Sequence, residues 1–131
     1  MVRSFLHPQE IEAFYILPTL RRHIVMAMKK KGAKQSDIAK LLHIKDAAVS
    51  QYITTKRGNH IEFSEDIVKE VEQSAERIHD TTSFLIETQM LLEIIRRKGF
   101  LCHIHQKLSN IPSSCNPEVV GCVKGGIIHA T

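Results

Sequence analysis

The stretch from Gln35 to Arg57, QSDIAKLLHIKDAAVSQYITTKR, decides how this chain reads, because it holds two short helical patterns with almost nothing between them. Ile38, Leu41 and Leu42 line one side of the first, and Ala39 is small enough to let a neighbouring helix approach. Ala48, Val49, Tyr52 and Ile53 line one side of the second. His43, Ile44 and Lys45 are all that separates them. So short a link cannot turn the helices antiparallel over their length. It predicts a steep crossing that leaves the second helix standing out from the core, in a shape that fits the major groove of a duplex.

Asp46, Ala47, Ser50, Gln51 and Thr54 fall off the apolar stripe of the second helix and so form its outward face. Gln51 is the strongest candidate for a base contact, since a carboxamide pairs bidentately with adenine, while Ser50 serves as donor or acceptor. Gln35 opens the preceding helix, where its side chain and the exposed backbone N–H groups suit a phosphate oxygen. Lys45 at the corner, with Lys56 and Arg57 after the second helix, completes the DNA-binding set; Lys34 adds charge ahead of it. The rival reading is an ordinary helical hairpin within a larger core.

The segment resembles the repressor-type helix-turn-helix of the lambda-repressor and Cro class, also called the XRE class. Gln35 falls on that class's glutamine opening the first helix, Ala39 on its small residue facing the second, Val49 on the buried aliphatic and Gln51 on a base-reading position. A looser resemblance runs over ILPTLRRHIVMAMKKKGAKQSDIAKLLHIKDAAVSQYITTKRG, about a third of the chain, to small prokaryotic predicted regulators with a cysteine-bearing C-terminus. It implies a metal-binding C-terminal segment. The sequence departs from the class at His43, where glycine is common in the turn and a side chain is disfavoured at positive φ.

Charge is distributed unevenly. Residues 1–60 hold 11 Lys and Arg against 4 Asp and Glu, whereas residues 61–100 hold 5 against 9. The overall net of +4 thus hides a basic half and an acidic middle. A basic half joined to this helical pair suits phosphate binding that weakens with salt. With 131 residues, 43% apolar, there is material for one core. Few aromatics, little Pro and Gly and no sustained alternation predict an all-α fold, a small helical bundle with the repressor-like pair, then two long helices and a Cys/His-rich C-terminal loop. No apolar run reaches membrane-spanning length, so no membrane partner is expected and the cytoplasm is the expected compartment.

Ile11, Phe14 and Tyr15 mark a first element from about Pro8, with a break or kink at Leu17–Pro18. Leu20, Ile24, Ala27 and Met28 mark the next helix, whose Lys29–Lys31 end and Gly32 stop read as dipole-complementing charge, with DNA contact as the alternative. Ser64 is placed to cap a helix carrying Ile67, Val71, Ala75 and Ile78. A second cap within 80–83 starts the last long helix, with Phe84, Thr88, Leu91, Leu92 and Ile95 on one side. The expected division is a DNA-binding domain over 1–62, a helical dimerisation segment over 63–98, a Cys/His segment over 99–123 and a flexible tail over 124–131. A homodimer is expected because repressor-type units read two half-sites one DNA turn apart.

All three cysteines, Cys102, Cys115 and Cys122, lie in the C-terminal segment, with His103 and His105 beside the first. In a cytosolic chain such clustering favours a metal over disulfides. Cys102 and His105 form a C-x2-H step, and Cys115 with Cys122 completes a set of three sulfurs and one nitrogen; on a helix His103 points elsewhere. An iron–sulfur cluster, a structural zinc, and three thiols without a metal all remain open. An enzyme is not expected, since there is neither a glycine-rich phosphate loop nor a nucleophile with an evident base, and no small-molecule substrate is expected. The functional expectation is a dimeric, sequence-specific regulator of transcription on double-stranded DNA, whose iron–sulfur or zinc site senses redox or iron status. The alternative is an antitoxin-like module binding DNA and a protein partner.

Overall fold

The computed structural model describes residues 5–123, and every regular element among them is helical. The expected tail over 124–131 lies outside the described residues. The first element, α1 (Pro8–Ile11), begins with proline, whose missing N–H costs nothing at a helix start. It does not break at Pro18. The chain instead widens into a π-helical turn over Glu12–Ile16 and continues as α2 (Leu17–Lys30). Pro18 has no N–H for the usual bond, and its ring would press on the carbonyl one turn back. The wider turn, in which Leu17 donates to the Glu12 carbonyl, relieves both. The extra residue also rotates the register, so that Phe14, three residues after Ile11, is 57% exposed while Ile11 and Ile16 are buried.

Helix α2 is the hub. Leu20, Ile24, Val25 and Met28 are buried where it packs on α3 (Gln35–Leu42), α4 (Asp46–Ile53) and α5 (Glu65–Glu76). Each such aliphatic side chain removed from water contributes about 1.5–3 kcal/mol against the entropy of ordering the chain. Helix α3 ends on His43 in the left-handed region at φ 54°. There the His43 N–H donates to Lys40 and the Ile44 N–H to Ala39, a Schellman pattern that stops the helix and sets the corner. Helix α4 ends the same way on Thr55 at φ 59°, with Thr55 donating to Tyr52 and Lys56 to Gln51. Neither stop uses glycine.

Beyond α4, Gly58 at φ 73° docks the chain on α2. A methyl group there would lie 2.4 Å from the Pro18 carbonyl oxygen, and the Gly58 carbonyl accepts from Arg22 Nε at 2.9 Å. Ser64 occupies the N-cap position of α5, but its hydroxyl donates to the Asp66 carboxylate rather than accepting from the helix. Asp80 does cap α6 (Thr81–Arg97), accepting from the Ser83 N–H at 2.7 Å while Ser83 Oγ accepts from the Asp80 N–H. Glu87 faces inward from α6, where its carboxylate accepts from Ser74 Oγ and Arg77 Nε.

The segment expected as a Cys/His-rich loop is largely helical. Helix α7 (Phe100–Leu108) forms because Leu101 and Ile104 turn one face to the core, and a short α8 (Pro117–Val120) follows, capped by Asn116. One hydrophobic cluster runs from Ile11 to Ile104. Two polar ties close the molecule. Arg96 clasps Glu12 at 2.7 and 3.2 Å, joining the end of α6 to the π-helical turn. Leu6 is held between its N–H, which donates to Ser109 Oγ at 2.7 Å, and its carbonyl, which accepts from His105 Nε2 at 2.6 Å. No described helix is long and apolar enough to cross a membrane.

Candidate nucleic-acid interface and cysteine segment

Helix α4 buries Ala48, Val49 and Tyr52 against Ile38, Ala39, Leu42 and α2, and this leaves Asp46, Ala47 and Ser50 exposed, with Gln51 half-buried at their edge. Thr54 is exposed but stands at the C-cap, where its hydroxyl donates to the Ser50 carbonyl at 2.9 Å. That proton is committed to the helix, so Thr54 can meet another group only as an acceptor. Asp46 lies in the first turn of α4, where a carboxylate complements the helix dipole. Gln35 is half-buried at the first position of α3.

The helix starts carry the less obvious signal. Lys34 and Lys45 hold the N-cap positions of α3 and α4, and neither helix end has a side-chain cap. A cation at the positive end of a helix dipole is unfavourable by about 0.3–1 kcal/mol, and uncapped N–H groups there need another acceptor. An anion at either end would relieve both costs.

Ion pairing divides the basic residues in the same way. Arg77 pairs with Glu87, Arg96 with Glu12, Arg97 with Glu93, and Lys98 with Asp66. Around α3 and α4, Lys31 pairs with Glu76. Lys29, Lys30, Lys34, Lys40, Lys45, Lys56 and Arg57 are exposed, with no carboxylate in pairing range among the described residues. The lysine run at the end of α2 is therefore split, one member tied to α5 and two left open. Arg57 lies over the Tyr52 ring, 5.8 Å from its centroid, which holds its charge beside α4. Lys29 and Lys30, for which the sequence reads helix-end charge first and DNA contact as the alternative, and Lys40, which is outside the expected set, join this basic surface. For Lys29 and Lys30 a signal is present in the lack of an acidic residue three or four positions away on the same helix, whereas Lys40 has Asp37 three positions before it and yet forms no ion pair with it.

In the C-terminal segment the structure brings the three sulfurs into one neighbourhood. Burial raises the Cys102 thiol above its ordinary range and the nearby Cys115 adds to this. Cys122 is raised by burial, then by Cys102, Cys115 and Glu12, with Arg96 opposing. All three are half-buried and free. His105 is placed differently from its companions in the expected ligand set. It is buried against the N-terminal strap and, because a carbonyl only accepts, its Nε2 must carry the proton donated to Leu6. Its Nδ1 is then the sole lone pair available. His103 is exposed near Phe100. Among the described residues no three Cys, His, Asp or Glu side chains stand close enough together to hold a metal ion. A cleft of about 420 Å³ of mixed character, walled by Glu12, Arg96, Arg97, His7 and Cys122 together with Leu101, Val120 and Val123, lies alongside.

No protein-family model, curated protein or solved structure matches this chain.

Proposed function

We propose that this protein binds double-stranded DNA sequence-specifically through α3 and α4 and acts as a regulator of transcription, with α4 entering the major groove. One observation carries the reading: a three-residue corner that begins with left-handed His43 sets α4 so that Ala47 and Ser50, with Gln51 at their edge, share a face turned from the core, ringed by lysines and an arginine that have no acidic partner among the described residues. Short polar side chains on such a face reach base edges, while the surrounding cations and the uncapped helix starts at Lys34 and Lys45 meet phosphates. Gln51 reads a base and Ser50 a neighbouring one; Gln35, Lys45, Lys56 and Arg57 fix the register.

The test is fluorescence anisotropy on a duplex selected from a random pool. Gln51→Ala weakens the selected duplex by about 1–3 kcal/mol and relaxes preference at one position. Equal loss on random duplexes would remove the reading role, and no retention of any duplex at low salt would remove the DNA proposal.

The shared neighbourhood of Cys102, Cys115 and Cys122 supports a narrower accompanying reading, a thiolate site for an iron–sulfur cluster or zinc with His105 Nδ1 as the nitrogen. The described donors do not reach that geometry as arranged, so no step of the DNA-binding proposal passes through a metal. Iron and zinc analysis of protein purified without oxygen decides it, with bound metal in stoichiometric amount supporting the site and metal-free protein removing it.

A further inference from the structure

We infer that the outer face of α6 is the surface through which two copies of this chain pair. Leu85, Ile86 and Met90 are 59%, 52% and 46% exposed and recur at helical spacing on one face. Beside them an apolar groove of about 220 Å³ runs between α2 and α6, bordered by Leu17, Leu20, Phe84 and Leu85, with Arg21 and Gln89 at its edge. Phe14, exposed by the π-helical turn, stands one turn before Leu17. A continuous exposed apolar patch on a small protein marks a contact surface.

Charge identifies the occupant. From Thr81 to Leu92 the sole ionisable residue is Glu87, and it is buried on Ser74 and Arg77, so three turns of α6 present no charge outward. The other faces cannot meet themselves. The exposed side of α5 carries Glu65, Asp66, Glu72 and Glu76 against Lys69, a net negative face, and the α3–α4 side carries the seven cations with no carboxylate in pairing range among the described residues against Asp37 and Asp46, a net positive one. In a two-fold pair each face meets its own copy, so net like charge opposes like on those two, whereas α6 brings no outward charge of its own over those three turns and Arg21 of α2 is the one charge among the described residues lining the groove. A partner of opposite sign would be drawn to α5 or to α3–α4 instead. The inference rests on the DNA-binding reading for its purpose, since a second copy supplies the second half-site, but not for its physics.

The experiment is sedimentation equilibrium of the full chain across the micromolar range, without DNA. The wild type is a dimer. Leu85→Glu with Ile86→Glu raises the dissociation constant by about a hundredfold or more while keeping the wild-type helical melt, because both side chains are solvent-exposed in the monomer. Gln89→Arg, which removes no apolar contact and places like charges across the axis, weakens the dimer as well and serves if the double variant fails to fold. A wild type monomeric throughout overturns the inference, as does a dimer indifferent to both variants. Non-specific duplex binding is measured separately on the same samples. A dimer that ignores DNA removes the DNA reading and leaves this surface, whereas a monomer that binds DNA does the reverse.

Discussion

Helices α4 and α6 each leave a face without a partner inside the chain, and the two faces have opposite chemistry. That of α4 is short and polar within a field of cations; that of α6 is apolar and uncharged over three turns. The difference separates two kinds of contact that a mean over the surface would merge. A face ringed by uncompensated charge gains little from its own copy and much from a polyanion. A neutral apolar face gains nothing from a polyanion and much from another face like itself.

Salt breaks the comparison most sharply. With six or more of the cations around α3 and α4 on phosphates, DNA affinity falls about a thousandfold or more between roughly 50 and 200 mM salt, while pairing through α6 holds or tightens slightly. Parallel loss of both would show that the two surfaces are one. Gly58→Ala comes next. The added methyl group meets the Pro18 carbonyl at a backbone angle only glycine takes freely, so urea melting registers a loss of about 2–3 kcal/mol. DNA binding falls with it because the chain behind α4 is unseated, yet the self-association of the folded fraction is unchanged. The smallest effect is His43→Gly, which relieves the left-handed corner and stabilises the protein by about 0.5–1 kcal/mol once glycine's own entropy is counted. Thr55→Gly acts in the same direction, more strongly because a β-branched residue suffers more at positive φ.

Much of the helical layout was legible because it is written locally. The spacing of Ile38, Leu42, Val49 and Tyr52 and the short link at His43 place α3 and α4 without any tertiary information, and Ile67, Val71 and Ala75 place α5. What escaped depends on contacts far along the chain. Glu12 reads as a surface carboxylate until Arg96, more than eighty residues on, clasps it; Glu87 reads the same until Ser74 and Arg77 are folded beneath it. His105 read as a metal ligand because a C-x2-H step is visible, whereas the Leu6 carbonyl that takes its proton is not. The helical character of 100–108 is masked by its Cys and His residues, although Leu101 and Ile104 have the period of a buried face. Phe14 stands at helical spacing from Ile11 yet faces solvent, because a π-helical turn shifts the register by one residue and leaves no local mark except the proline that requires it.

The clasp on Leu6 spans 103 residues of sequence, from the described start of the chain to the end of α7. Closing so distant a contact is slow, and during synthesis it must wait until α7 has left the ribosome, well after α2 through α5 can pack on one another. A chain halted before Ser109 would therefore hold the α3–α4 unit with its leading strap unfastened. Nascent chains of increasing length should reveal this as late-arriving resistance of the first turn to proteolysis.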